Sequence, residues 1–308
     1  MHLKSTNTGI VNTFTIFKYK GGLNMKKTVY LAVLSLVTVF CIIIGSIYHI
    51  SGWVGFGLGN LFNFISGSED TGPGTNRNRI TYSEDLSPFS QIEIDTDVMN
   101  INIEKGDNYH IEYDCTENRQ PEFEVTGSKL KIKQPKAKGW LRNHINYKCD
   151  MTLTIPEGTV LDNADITTDV GNVYINNTEC NDIKLELDVG NLEIKLCTFK
   201  DSEIESDVGN IKINQSDIGN SNIETDTGDV NIKECEFKDI EIYNDIGNVD
   251  LDSSHIDISN YSVDLSTDLG AIRCNGTKQK KHFYQAAKAA SSAYMVTIET
   301  DIGSITFN

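Results

Sequence analysis

Eight aspartates recur at matching places along the chain: Asp97, Asp169, Asp188, Asp207, Asp226, Asp245, Asp268 and Asp301. In seven of the eight copies a glycine follows two positions later, at Gly171, Gly190, Gly209, Gly228, Gly247, Gly270 and Gly303, and Met99 takes that place in the earliest copy. A column of carboxylates offers hard oxygen donors, so one chemistry open to it is a calcium ladder. The other is structural: each Asp accepts hydrogen bonds from the amides of its own turn, which needs no metal. The structural reading is preferred, because the spacing matches neither the nonapeptide calcium β-roll nor the EF-hand loop. Stacked carboxylates repel by up to roughly 1 kcal/mol per neighbouring pair in water, so hydrogen bonds or a bound cation must offset that cost.

Other residues with chemical potential lie where this pattern breaks. Lys278, Lys280, Lys281, Phe283 and Tyr284 form a basic-aromatic excursion within 275–295, and Lys136, Lys138, Trp140 and Arg142 form a second such patch. The excursion is a candidate contact for an anionic polymer or lipid headgroup, against the alternative of pairing with the protein's own acidic face or forming a short helix over Ala286 to Ala290, and the second patch is a further candidate of the same basic-aromatic kind. Cys115 and Cys149 stand outside the repeat and could join as a disulfide outside the cell. Cys197 and Cys235 fall two repeats apart, ~9.6 Å at the strand spacing, too far to bridge. The six histidines are scattered, with none at metal or triad spacing. The acids recur in every repeat instead of converging as a catalytic pair would, so no enzyme activity and no cofactor are expected.

Formal net charge is −17. Every one of the 44 Asp and Glu falls at or after Glu69, whereas Lys4, Lys18, Lys20, Lys26 and Lys27 precede it. Such a surface repels nucleic acid, which needs Lys and Arg against its phosphates.

The glycines from Gly171 to Gly247 are each 19 residues apart, with two further copies after longer intervals. Five positions before each glycine is an apolar residue (Ile166, Leu185, Ile204, Ile223, Ile242), and apolar residues recur two and four positions after it. Alternation of period 2 means short strands with one face buried. A second buried strand is expected between the turns, where Cys180, Phe199, Ile218, Phe237 and Ile256 share a column. Such a unit cannot bury its apolar edge alone, so like columns must stack on like. The fold expected is all-β: a single-sheet-stack parallel β-helix (solenoid) with ~19-residue coils. Glycine would supply φ > 0 at each corner, and Asn172, Asn191, Asn210 and Asn248 could form an amide ladder. Met99 predicts a first turn of different shape.

Ahead of the solenoid, residues 28–50 carry no formal charge and are long enough to cross a bilayer as one helix. Lysines before it and acids after it put the N-terminus in the cytoplasm and the C-terminus outside. The organisation expected is a cytoplasmic segment over 1–27, the transmembrane helix over 28–50, a Gly-rich juxtamembrane linker over 51–79, an N-terminal part or cap of the solenoid over 80–160, and regular coils over 161–308. Met25-Lys26-Lys27 reads as an internal start, so residues 1–24 are expected to be untranslated.

The segments FSQIEIDTDVMNINIEKGDNYHIEY, MTLTIPEGTVLDNADITTDVGNV and VTIETDIGSITFN resemble the putative-adhesin family of bacterial membrane-anchored extracytoplasmic β-solenoids, a domain of unknown function, over about residues 80 to 308. The resemblance implies a non-enzymatic cell-envelope protein with an adhesin, binding or envelope-stress role. The alternative is a cation-dependent cell-wall polysaccharide binder, or a polysaccharide-active enzyme using the acidic face. The partners expected are the membrane, through one helix, and a cell-wall polymer or envelope protein.

Overall fold

The computed structural model describes residues 79–136, 149–252, 256–288 and 294–308. The expected membrane segment, the cytoplasmic segment and nearly all of the linker lie outside these residues. Among the described residues no helix is long and apolar enough to cross a membrane.

The N-terminal part contributes β1 (Arg79–Asp85), β2 (Gln91–Val98), β3 (Asn100–Gly106), β4 (His110–Thr116), β5 (Glu122–Thr126), β6 (Lys129–Lys133) and β7 (Asp150–Pro156). Five coils follow, each a longer strand and a short one: β8 (Val160–Val170) with β9 (Val173–Asn176), β10 (Glu179–Val189) with β11 (Leu192–Lys195), β12 (Thr198–Val208) with β13 (Ile211–Asn214), β14 (Asn220–Thr227) with β15 (Val230–Lys233), and β16 (Ile240–Ile246) with β17 (Val249–Leu251). The C-terminal part holds β18 (Tyr261–Leu269), β19 (Ile272–Cys274), β20 (Thr277–Lys278), β21 (His282–Gln285), β22 (Tyr294–Ile302) and β23 (Ile305–Phe307).

The stack is two facing sheets, not one. Short strands form one sheet in the order β1-β4-β7-β3-β9-β11-β13-β15-β17-β23-β19-β20, and long strands form the other in the order β21-β18-β22-β16-β14-β12-β10-β8-β2-β6-β5. The 19-residue register holds across the middle, with Leu185 beside Ile204 and Ile194 beside Ile213. Inward side chains from both sheets make one continuous core.

Three features depart from the sequence reading. The Cys180 column does not form a separate strand: Cys180 and Phe199 lie at the start of the long strand itself, while Ile218 and Phe237 precede it. Cys180 and Ile183 are both buried although three residues apart, so strict alternation fails there and the strand must bend. A second corner follows β9, β11, β13 and β15 at Asn177, Leu196, Gln215 and Glu234, whose φ values of 51–55° are left-handed. Four unlike residue types share that conformation, so no compositional signal marked it. Finally, the coils do not stack in chain order at the ends. β22 and β23, the last strands, sit between β16–β17 and β18–β19. The first coil, β2–β3, sits between β6–β7 and β8–β9. At each end the outermost strands run antiparallel to their neighbours: β1 on β4 and β5 on β6, β20 on β19 and β21 on β18. Reversed end strands interrupt the parallel template that an open coil would present to another chain.

Candidate functional site

The repeated corner divides its work among three positions. The glycine N–H continues the inter-coil ladder, as from Gly190 to the Val208 carbonyl at 3.0 Å. A Cβ built on Gly190 would lie 1.8 Å from the Gly171 carbonyl oxygen, and on Gly209 1.7 Å from that of Gly190. At Gly270 and Gly303, which lack a positive φ, the same oxygen contact would be 1.6 Å. Close approach of the neighbouring backbone, more than torsional freedom, fixes glycine here.

The residue after the glycine carries the ladder. Asn191 N donates to Asn172 Oδ1 at 2.9 Å, Asn210 N to Asn191 Oδ1 at 3.0 Å, and Asp229 N to Asn210 Oδ1 at 2.9 Å. It continues from Asn248 N to Asp229 Oδ1 at 2.8 Å and from Ser304 N to Asn248 Oδ1 at 3.0 Å. The expected amide ladder is met between Asn191 Nδ2 and Asn172 Oδ1 at 3.2 Å, while along the stack each side-chain oxygen accepts from the next backbone N–H, a place Asp229 fills because only an acceptor oxygen is needed.

The aspartate two before the glycine does not cap the turn. Asp188, Asp207, Asp226, Asp245, Asp268 and Asp301 are exposed and carry no hydrogen bond or ion pair among the described residues. They stand in register as neighbours. Partial desolvation first, then the charges of Asp169 and Asp207, push the Asp188 carboxyl above the usual range. Desolvation and the charges of Asp301 and Asp226 do the same to Asp245. Among the described residues no three carboxylate, thiol or imidazole groups converge closely enough to hold a metal ion.

The first two rungs are occupied by the chain's own cations. Arg119, buried, donates to Asp97 Oδ2 at 2.5 Å and to the Pro135 carbonyl at 2.9 Å. Lys136 Nζ lies 3.3 Å from Asp169 Oδ2. Gln134, also buried, accepts from Val98 N at 2.8 Å and donates to the Arg119 carbonyl at 2.9 Å. Its amide also accepts from Asp97 N at 3.1 Å and donates to the Val98 carbonyl at 3.1 Å, so it pairs with the backbone just before Met99. The Met99 turn otherwise stacks as the rest do, with Met99 N donating to the Val170 carbonyl at 2.9 Å.

Beside the ladder, the outer face of the long-strand sheet carries Glu186, Glu205, Glu224 and Glu299 in one register column. Lys184 sits among Glu203 at 2.9 Å, Glu186 at 3.0 Å and Glu205 at 3.8 Å, and its ammonium is held above the ordinary range by those acids. At the N-terminal end Lys129 and Lys131 bind Glu93 at 2.5 and 2.6 Å, drawing its carboxyl down to about 2. Where the long strands bend, a shallow groove of about 630 Å³ runs across Asn163, Asp182, Asp201, Asn220 and Asp239.

The basic excursion folds as an edge cap, with no helix over 282–288. Lys278 ends β20, and Lys280 is exposed. Lys281 donates to the Gly270 carbonyl and His282 meets Asp264 at 2.7 Å. Phe283 packs on the core while Tyr284 stays exposed. Lys138, Trp140 and Arg142 lie outside the described residues. Cys115 and Cys149 are buried free thiols side by side.

One histidine gains triad-like partners that its sequence spacing did not show. His110 Nδ1 lies 2.7 Å from Asp85 Oδ1 and its Nε2 2.8 Å from Ser83 Oγ. Ser83 and Asp85 are i, i+2 on β1, hence on one face, and β1–β4 pairing brings His110 between them. That pairing is long-range and invisible in spacing.

The family model described as Toastrack DUF4097 matches residues 89–307. Solved structures similar to this chain include a putative cell adhesion protein from Clostridium sporogenes, at 13% identity over 75% of this chain and 99% of that one, with a TM-score of 0.39. A putative adhesin from Bacteroides fragilis is 15% identical over 75% and 97%, with a TM-score of 0.43. A putative lipid binding protein from Parabacteroides distasonis is 14% identical over 76% and 98%, with a TM-score of 0.39. No protein of curated function matches the chain.

Proposed function

This chain belongs to the Toastrack DUF4097 family, and from that premise we propose that it is a non-enzymatic, membrane-anchored envelope protein holding a rigid acidic solenoid outside the cell as an adhesin-like binding surface. One observation carries the reading: the exposed Asp ladder repeats rung after rung, like-charged and without hydrogen bond or ion pair from Asp188 to Asp268 among the described residues. Catalytic carboxylates work as a single convergent pair, whereas a periodic row suits a partner met over many coils. Carboxylates left in mutual repulsion favour cationic groups on that partner. The uncharged stretch over 28–50 supplies the anchor, and the lysines before it set the orientation. Protease shaving of intact cells tests the placement: release of solenoid peptides is expected, and their full protection contradicts it.

A second reading, a surface hydrolase, is favoured by the Ser83–His110–Asp85 connectivity. Asp85 is 71% exposed in its side chain, so it lacks the burial that orients a triad. A serine-directed fluorophosphonate separates the readings: no labelling is expected, and stoichiometric labelling of Ser83 would favour the hydrolase.

A further inference from the structure

β4 and β7 run antiparallel, with Asp114 beside Asp150 in their last ladder pair. One step further, Cys115 faces Cys149. Both side chains point into the core, at 0% and 1% exposure. Facing residues in an antiparallel pair are of two kinds, a hydrogen-bonded kind with Cα atoms ~5.5 Å apart and a closer kind at ~4.5 Å. The kind present here follows from the other neighbour of β7. The Cys149 carbonyl accepts from Asn100 N at 2.8 Å, on the β3 side. A strand residue directs its N–H and C=O to the same side, so Cys149 spends its backbone bonds on β3 and meets Cys115 as the closer kind. A separation of ~4.5 Å falls within the ~4.4–6.8 Å span that a disulfide bridges. The two thiols are close enough to perturb each other's ionisation.

We propose that Cys115 and Cys149 are joined by a disulfide in the protein displayed outside the cell, clamping the N-terminal cap onto the coil stack. The inference rests on the extracytoplasmic placement proposed above. The oxidant is a disulfide-bonded exchange partner, either a small-molecule disulfide or a thiol oxidoreductase. The Cys149 thiolate attacks one sulfur of that disulfide, forming a mixed disulfide and expelling a thiolate. The Cys115 thiolate then attacks Cys149 Sγ and expels the second thiolate. Two protein protons are released, the protein pair is oxidised by two electrons, and the exchange partner is reduced to two thiols. The reverse order, with Cys115 attacking first and Cys149 resolving, balances in the same way. Because both sulfurs are buried, exchange precedes closure of the cap during folding. Of the other described cysteines, Cys180, Cys197 and Cys235 each donate to a nearby backbone carbonyl at 3.1–3.2 Å with their thiols pushed up by burial to about 11 to 12, and burial raises the Cys274 thiol as well.

The test uses the full chain in two settings. Cells are quenched with acid, denatured and alkylated with N-ethylmaleimide, and the protein is digested without reductant. A linked Cys115–Cys149 peptide is expected, with every other cysteine alkylated. Separately, purified protein is reduced, unfolded and refolded in equimolar oxidised and reduced glutathione, where the same linked peptide is expected. Cys115→Ser should leave Cys149 fully alkylated and remove the reductant-dependence of the melting temperature. Failure to link in the glutathione buffer overturns the pairing. Linking there while both thiols are alkylated in the cell sample overturns the oxidising placement instead.

Discussion

A methyl group has no room at Gly209, where a Cβ would lie 1.7 Å from the Gly190 carbonyl oxygen. Gly209→Ala should force adjacent coils apart and cost more than about 3 kcal/mol, in the class of severe backbone clashes. Gly127→Ala meets no atom within 4 Å and pays only for its φ of 63°, about 1 kcal/mol. Urea midpoints of the two variants check the contrast. Inside the corner, Thr225 is buried with its hydroxyl unpartnered, while Leu187 holds the equivalent place two coils away. Thr225→Val should therefore stabilise by about 1 kcal/mol, since an orphaned buried hydroxyl is relieved without a change of shape. Calorimetry reads it as a rise in Tm. The carboxyls give a pH signature with two opposing signs. Asp188 and Asp245 titrate above their unfolded values, so the folded state takes up protons first and stability rises as pH falls towards the ordinary carboxylate range. Glu93 titrates below its unfolded value, so its contribution is full above that value and is lost as pH falls towards about 2. The expected Tm profile has its maximum near the ordinary carboxylate pKa of about 4, not at neutrality. Residue types were legible at this scale, but two roles were exchanged. Asp and Asn are both turn-formers, and only the direction of each side chain at the corner shows that Asn172 and its successors hold the amides while Asp faces out. Gln134 and Arg119 gave no signal, because they serve one coil and repeat nowhere.

The same columns that disclosed the coils hid their order. Every coil presents the same apolar positions to its neighbours, so Ile242 can sit beside Ile298 as readily as beside Leu265, and periodicity cannot choose between them. Strand pairing places β22 between β16 and β18. The antiparallel strands beyond β18 and β19 cover the edge that β22 would otherwise cover, which is how the excursion after Cys274 acquires its structural use. Deletion of residues 294–308 should thus open the interior of the stack, not trim its end. Amide hydrogen exchange checks this: protection at Ile240, Ile242 and Val249 should fall together, whereas a terminal coil would leave them protected by β14 and β15. Coil length, strand alternation and parallel register were readable from 19-residue spacing, since each is a property of one unit and its translation. The bend after Cys180 could have been read from its three-residue offset to Ile183. The left-handed corner at Leu196 could not.

At the scale of the molecule, charge is distributed by design of the repeat. A net charge of −17 opposes compaction, and cations offset it locally, among other places at Asp97, Asp169, Glu93 and around Lys184. The remaining ladder stays exposed over six rungs in a fold whose stability would gain from neutralising it. That cost, accepted on all six of these rungs, is the basis for proposing the face as a binding surface. The most direct measurement is recovery of envelope components by the full chain, compared with a variant carrying Asp188→Asn, Asp207→Asn, Asp226→Asn and Asp245→Asn. The variant should melt at or above the wild-type temperature, which excludes misfolding. The account predicts that the wild type retains a cation-bearing wall polymer or envelope protein and that the variant loses it at least tenfold. Equal recovery by both proteins would contradict the assignment of the ladder as the binding surface.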